Sequence, residues 1–344
     1  MFIKKEFWKK TIITVSAVID DAIQSLNNSG LQVVIVVNGR DEFVGTITDG
    51  DIRRGLINGL NLKSSIKKIL NNKAVITKIN IDASEAENIL RRFDILHLPI
   101  IKRKKISGLY FKGNAKIKEN FLNNKIIIMA GGYGKRLGNL TKKTPKGMLK
   151  LNGKPLLLHI IEKLKKEGFK EVYISIYYLK SKIKNYFLDG KKFGIKIKYI
   201  DEKFPMGTVG CLSLMNKKID KSFFLVNCDV ITGLNFKEML KFHEKNESDT
   251  TMAIKNFEFI NPYGVITSKN NKFNNFEEKP SIFFNINAGI YLFKPRILNL
   301  IKEEKIKTIP KLFNLLKKKN KKIYTYPMYE SWEDYGLNIK KLKS

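Results

Sequence analysis

Apolar and polar positions divide this chain into short elements. In residues 20–28 the apolar positions Ala22, Ile23 and Leu26 recur at helical spacing. Residues 31–37, LQVVIVV, form a continuous apolar run that reads as a buried strand, and Asn38-Gly39-Arg40-Asp41 reads as a turn. Residues 43–48 predict a second strand, and Asp49-Gly50-Asp51 opens a helix that runs through Leu56. The order then recurs: residues 83–93 predict a helix, 98–101 a strand, 102–105 a turn and 106–110 a strand. Such a repeat predicts a pseudo-symmetric pair whose two sheets pack together. Residues 112–124 are rich in Lys and Asn and read as a linker.

From residue 125 strands and helices alternate. Residues 126–129, IIIM, predict a strand. Residues 155–167 predict a helix with Leu156, Leu157, Ile160, Ile161 and Leu164 on one face, ended by Gly168. A strand follows over 172–176, then a helix over 179–187 with Ile183 and Phe187 inward, and a strand over 195–200. A helix is expected over 208–215 and a central strand over 223–226, which ends in Asn227-Cys228-Asp229. The alternation predicts a doubly wound, Rossmann-like α/β sheet, whose ligands collect at the carboxyl ends of the strands. The loop after residue 129, Glu202 and Asp229 all fall at such ends.

At 344 residues the chain has room for two domains or three, and 43 % hydrophobic residues suffice for real cores. No apolar run reaches the roughly 18 residues a membrane-spanning helix needs. The first 20 residues place positive charge ahead of an apolar stretch, but Thr11, Thr14, Ser16 and Asp20 interrupt it and no small-residue cleavage site follows. A cytoplasmic protein without a membrane partner is therefore expected. Cys211 and Cys228 have no metal or redox spacing and read as free thiols in a reducing compartment. The formal net charge of +33 raises the question of nucleic acid. The excess is nearly all Lys, spread along the whole chain beside abundant Asn and Ile, with no repeating Arg/aromatic platform for bases. Nucleic acid is not expected as the partner; the charge instead helps to attract small anionic substrates.

The chemistry concentrates in residues 125–151, KIIIMAGGYGKRLGNLTKKTPKGMLKL. A buried strand runs into Gly131-Gly132-Tyr133-Gly134, with Lys135, Arg136 and Lys146 following. Glycines bring backbone N–H groups close to phosphate oxygens, and the cations complete a polyphosphate cradle. The loop lacks the Walker A spacing, because Gly134-Lys135 is followed by Arg136 and Met129 stands five positions before Gly134. It also lacks the dinucleotide fingerprint, because Gly132, Gly134 and Gly138 are spaced G-x-G-x-x-x-G.

The N-terminal stretch, with LQVVIVV and FVGTITDGDIRR, resembles a tandem pair of CBS domains over residues 1–117. The resemblance implies a nucleotide site, an adenine nucleotide among the candidates, with Thr48 and Asp51 on the ribose. A simple helix cap accounts for the same two residues equally well. The second repeat, GLYFKGNAK, has no Thr or Asp at the matching points, so it implies one intact ribose site at most. Such pairs associate by their helices, which implies a homodimer.

After a linker at 118–124, residues 125–344 resemble the sugar-1-phosphate nucleotidyltransferases. The carrying motifs are AGGYGKRL and TPKGML, with Lys135 where Thr or Ser is commoner. In order behind them come MGTVGCL at 206–212, NCDV at 227–230, YGVI at 263–266, EEKP at 277–280, NAGIYLF at 287–293 and WEDYG at 332–336. The resemblance implies that a sugar 1-phosphate oxygen attacks the α-phosphorus of an NTP and pyrophosphate leaves. It implies nucleotide contacts at Ala130, Gly131, Gly132, Gly134, Gly207 and Thr208. Arg136 would grip the triphosphate, Lys146 would approach the α-phosphate, and Lys279 would hold the sugar phosphate. Glu278, Asn287 and the Gly264 backbone would contact the sugar. Asp229 and Asp334 would hold Mg2+, which takes one or two carboxylates plus phosphates and water. Glu202 stands where the family faces the base edge. A carboxylate accepts both adjacent donors of guanine and repels the carbonyls of uracil or thymine, so GTP is expected over UTP or dTTP. A CBS pair ahead of this domain resembles the glucosamine-1-phosphate guanylyltransferases of legionaminic acid biosynthesis, which implies that sugar and a surface or flagellar glycan. No hexapeptide repeat of an acetylating enzyme follows. A nucleotide-sensing protein without turnover is the alternative.

Overall fold

The computed structural model describes residues 8–77, 81–112, 123–215 and 219–336, and the chain divides into two compact units, Met1–Lys118 and Glu119–Ser344. Most of the expected linker, residues 118–122, lies outside the described residues. Asn124, assigned to that linker, is buried and donates from Nδ2 to Ser222 O at 2.8 Å, so it belongs to the second unit.

In the first unit β1 (Ile12–Thr14), α1 (Ile19–Ser29), β2 (Val33–Val37), β3 (Phe43–Thr48) and α2 (Asp49–Ile57) follow one another. β1 pairs parallel with β2, and β2 antiparallel with β3. β1 was not expected, because its three residues sit in the stretch whose charge and apolarity resemble a leader. α1 buries Ile19, Ala22, Ile23 and Leu26, an i, i+3, i+4, i+7 stripe. Gly30, at φ +66°, ends it by donating its N–H to Leu26 O. The second half carries α3 (Ala83–Arg92), β4 (His97–Lys102) and β5 (Lys105–Phe111), with β4 and β5 antiparallel. A single parallel bridge from Thr77 to Ile100 stands where β1 stands against β2. The halves meet through Trp8, Val33 and Leu109.

In the second unit the order is β6 (Ile126–Met129), β7 (Lys150–Leu151), β8 (Lys154–Pro155), α4 (Leu156–Lys166), β9 (Glu171–Ile176), α5 (Lys180–Phe187), β10 (Lys196–Asp201), β11 (Phe223–Asn227), β12 (Val230–Thr232) and α6 (Phe236–Lys245). Then come β13 (Thr250–Ile260), β14 (Val265–Lys269), β15 (Lys272–Glu277), β16 (Ser281–Phe293), α7 (Arg296–Glu303), α8 (Ile309–Lys318), β17 (Ile323–Met328) and β18 (Trp332–Asp334). The main sheet has seven strands in the order β10-β9-β6-β11-β16-β13-β17. All run one way except β16, which is antiparallel to both of its neighbours. The sheet is therefore mixed.

Alternate residues of one strand face opposite sides of a sheet. Ile126 and Ile128 of β6 join Val172, Ile174, Phe224 and Val226 in one core, under α4, α5 and α6. Ile127 joins Tyr173, Phe223 and Leu225 in the other, under α7 and α8. Helices thus cover both faces and leave the strand ends free, the carboxyl ends of the six parallel strands forming one rim. The helix expected over 208–215 is a short 3-10 turn, Gly210–Leu214. The local pattern loses to tertiary contacts: Gly207 lies at φ +78° against the Lys307 carbonyl, and Thr208 Oγ1 accepts the Ile309 N–H at 3.0 Å. Thr208 caps α8 instead of a helix of its own.

Candidate active site

The glycine loop leaves the end of β6, and its three glycines stand in different surroundings. Gly131 is packed so closely on Glu202 that a Cβ there would overlap the carboxylate. Gly134 adopts φ +66°, and a Cβ would stand 2.8 Å from Thr141 Cγ2. The Gly134 carbonyl accepts both the Leu137 N–H and the Thr141 hydroxyl, which turns the chain into the 3-10 segment Lys135–Thr141. Gly132 is exposed with open space where a Cβ would be. Arg136 is exposed and makes no ion pair among the described residues. Its guanidinium is available to an incoming anion.

Glu202 follows the end of β10 and is only 5 % exposed. Its Oε1 accepts the Ser175 hydroxyl at 2.7 Å, and its Oε2 accepts the Met206 N–H at 2.9 Å. Each oxygen retains one further acceptor position. The carboxylate also ties the glycine loop, β9 and the 206–208 segment to one point. Sequence reasoning assigned Glu202 to the base and missed this bracing role. It missed an aromatic cluster as well. Tyr133 in the loop meets Tyr177 and Tyr178, at the end of β9, with ring centroids 5.8 and 5.2 Å apart. Tyr178 Oη donates to Lys142 O at 2.8 Å, so the cluster holds both sides of the loop. The signal was present as aromatic residues at two strand ends.

A charged centre lies at the end of β11. β12 pairs antiparallel with β18 so that Val230 faces Asp334, and Tyr335 N–H donates to Asp229 O at 3.0 Å. This pairing brings Asp229 and Asp334 together across more than a hundred residues of chain. The Lys146 ammonium makes an ion pair with Asp229. A Cβ on Gly336 would overlap Lys146 Nζ, Asp229 Oδ2 and Asp334 Oδ1, so all three polar groups converge on that glycine. Gly336 N–H donates to Asp334 Oδ1 at 2.6 Å. Burial, and then the Asp229 charge, hold the Asp334 carboxyl above its ordinary pKa. Leu137, Leu149, Leu156 and Tyr335 form one apolar cluster, which fastens this centre to the glycine loop. The neighbouring Cys228 thiol is pushed up to about 12 by burial and the Asp229 charge, so it is no nucleophile. Cys211 is likewise buried and free.

Other motifs knit around this rim. Trp332 Nε1 donates to Ala288 O at 2.9 Å, and Gly289 packs on Asn227. Asn287, the expected sugar ligand, donates from Nδ2 to Tyr291 Oη and accepts the Gly289 N–H. Gly264 lies against Phe276 and the Glu278 carboxylate. Lys279 is exposed, at φ +45°, with its Nζ 4.0 Å from Glu278 Oε1. Among the described residues no ion pair ties Lys279 or Arg136 to the Lys146–Asp229 pair. Thr48 and Asp51 sit in the first unit as a capping box: Asp51 Oδ2 accepts both the backbone N–H and the hydroxyl of Thr48, and Asp51 Oδ1 accepts from Arg54.

Among the described residues no group of three or more His, Cys, Asp or Glu side chains converges as a metal site. The buried Asp229 and the half-buried Asp334, with the Lys146 ammonium on Asp229, still form a hard-oxygen donor pair that fits Mg2+, with the rest of its shell left to phosphate and water. No helix among the described residues is long and apolar enough to cross a membrane.

Comparison with known proteins agrees with this architecture. Residues 9–58 match the CBS domain family, which covers the first half of the N-terminal unit. Mannose-1-phosphate guanylyltransferase catalytic subunit beta of Danio rerio is 32 % identical over 220 residues, 62 % of this chain and 61 % of that protein. A probable mannose-1-phosphate guanylyltransferase of Oryza sativa subsp. japonica is 38 % identical over 186 residues, 52 % of each chain. The chain thus spans about 60 % or less of the length of these curated relatives. HddC from Yersinia pseudotuberculosis shares the fold, with a TM-score of 0.51 and 22 % identity, covering 64 % of this chain and 98 % of that one. The Nucleotidyl transferase family model matches residues 125–341, and the chain belongs to that family.

Proposed function

We propose that the second unit transfers a nucleoside monophosphate from an NTP to a sugar 1-phosphate and releases pyrophosphate. The observation that carries this reading is the convergence of Lys146, Asp229 and Asp334 on Gly336, fastened to the glycine loop through Leu137 and Tyr335. Two polyanions must meet for this reaction, so charge neutralisation and in-line positioning are the main tasks. The exposed amides around Gly132 and the free Arg136 would receive the triphosphate. Lys146, already half-freed from solvent, would hold the α-phosphate as charge builds on it. Glu278, Lys279, Asn287 and the Gly264 backbone would orient the sugar 1-phosphate. Asp229 and Asp334 would hold Mg2+, which neutralises phosphate charge when bound.

For the nucleotide, the two remaining acceptor positions of Glu202 favour GTP over UTP or dTTP. The guanylyltransferase names of the relatives point the same way. For the sugar, the CBS-plus-transferase arrangement favours glucosamine 1-phosphate and a place in surface or flagellar glycan synthesis. The relatives' names favour mannose 1-phosphate as the second reading. We read residues 83–111 as a second CBS-like half, since their strands and their Thr77 bridge repeat the first half. An adenine nucleotide at Thr48 and Asp51 would have to replace the bonds of the capping box. Substrates of this kind favour a cytoplasmic location. Pyrophosphate release from each NTP against glucosamine, mannose and N-acetylglucosamine 1-phosphates tests the whole reading. GTP turnover with one of these sugars is expected; no release with any pair would leave only a nucleotide sensor.

A further inference from the structure

β13 and β16 continue past the body of the sheet as a two-stranded ribbon over residues 256–260 and 281–285. Phe257 faces Phe284 and Phe259 faces Ile282 across this ribbon, so all four share one side. The other side holds four polar residues, with Ser281 Oγ donating to Glu258 Oε1 at 2.8 Å and Asn256 facing Asn285, and only Ile260 and Phe283 as apolar ones. This is the alternation of a strand pair with one face meant for burial. Yet Phe257, Phe259, Ile282 and Phe284 are each 47–51 % exposed. Ten of the twenty exposed large apolar side chains among the described residues fall between 257 and 284, so the exposure is concentrated here and not scattered. An aromatic side chain offers roughly 150–250 Å², so these four half-exposed groups present about 400 Å². That is half of the roughly 800 Å² a stable interface buries on each partner, with the polar surroundings left to form its rim.

We infer that this ribbon face packs against the same face of a second copy of the chain. Charge selects that occupant. The chain carries +33 overall, but residues 256–285 hold three Lys and three Glu and are formally neutral. Two copies meet here with the least repulsion, whereas an acidic partner would gain nothing here and much elsewhere on the chain. A face that is apolar on both strands can also meet its own copy across a two-fold axis. The ribbon leads directly into the turn at 261–264 and 278–280, closed by the Asn261 N–H on Pro280 O at 3.0 Å. Pairing therefore steadies the junction that carries Gly264, Glu278 and Lys279.

The test is the mass of the full-length protein in physiological salt, by sedimentation or light scattering over a concentration series. The wild type is expected to associate. Phe257→Lys/Phe284→Lys is expected to halve its mass, while Asn256→Lys/Asn285→Lys on the polar side leaves it unchanged. Circular dichroism checks the fold of both variants, and Phe257→Ser/Phe284→Ser serves if the lysine pair fails to fold. A monomeric wild type throughout the series overturns the inference. So does a mass that the apolar-face changes leave intact, which would put association elsewhere, the N-terminal unit included. Equal halving by both lysine pairs overturns it too. The readout is mass and does not depend on the substrates proposed above.

Discussion

Replacing Glu202 with Gln separates reading the base from holding the loop. The carboxylate accepts the Ser175 hydroxyl at 2.7 Å and the Met206 N–H at 2.9 Å while almost fully buried. A Gln keeps both bonds. Its carbonyl takes the Met206 N–H, and its amide donates to Ser175 Oγ, which turns to accept. What is lost is charge assistance, the difference between about 1.5–3 kcal/mol for a bond to a charged group and about 1 kcal/mol for a neutral one. Two such bonds put the stability loss at about 2 kcal/mol, read in the unfolding transition of the second unit. The base sees a larger change. Guanine presents two donors, and Gln meets them with one acceptor and one donor, leaving one bond missing and one pair of donors opposed. We expect kcat/KM for GTP to fall about 100-fold, near 2.7 kcal/mol. Uracil presents a donor flanked by carbonyls, which suits an amide, so the GTP/UTP ratio should fall at least about tenfold. Steady-state pyrophosphate release with both nucleotides measures it. Equal losses for GTP and UTP would refute base reading and leave Glu202 as a brace for Gly131 and Met206.

Asp229→Ala should abolish pyrophosphate release by about 10²-fold or more while the far-ultraviolet spectrum is kept, because it removes the partner of Lys146 and half of the carboxylate pair; near-normal turnover would deny Asp229 its place at the centre. Lys279→Ala should raise KM for the sugar phosphate about 10- to 100-fold and leave KM for the NTP unchanged, since its ammonium is exposed and makes no ion pair with the Lys146–Asp229 centre. Gly132→Ala should leave stability within about 0.5 kcal/mol, because a Cβ there meets nothing, but weaken triphosphate binding; unchanged nucleotide affinity would count against the cradle. Acid stability should depend on His243, which burial and then Lys294 lower to about 4. Between pH 6.5 and 4 the unfolded chain binds a proton at this site and the folded chain does not. Stability therefore falls with pH through that window, by up to about 3 kcal/mol for this group, and pH-dependent urea unfolding of His243→Asn should lack that component. His97, lowered to about 4 by burial, acts in the same direction in the first unit.

The alternation of apolar strands and amphipathic helices was enough to expose the layered sheet, because burial on both faces writes itself into every strand of the core. Residues 31–37 and 223–226 read as strands for that reason, and both are strands. The reading failed where a residue answers to a distant one. Thr208 looked like a helix start and instead caps α8, a hundred residues on. Asp229 and Asp334 were coupled in the sequence by family resemblance alone; what brings them together is the pairing of β12 with β18, a short contact that no periodicity announces. The ribbon of β13 and β16 escaped notice because both of its faces meet solvent and no continuous buried run marks it. The glycine loop shows the limit most clearly. Gly131, Gly132 and Gly134 look equivalent in the sequence, yet Gly131 is required by the Glu202 carboxylate and Gly134 by its φ of +66° and by Thr141. Gly132 answers to nothing inside the chain. Its exposed place at the carboxyl end of a central strand is what the proposed triphosphate cradle requires, and no contact within the chain would have marked it.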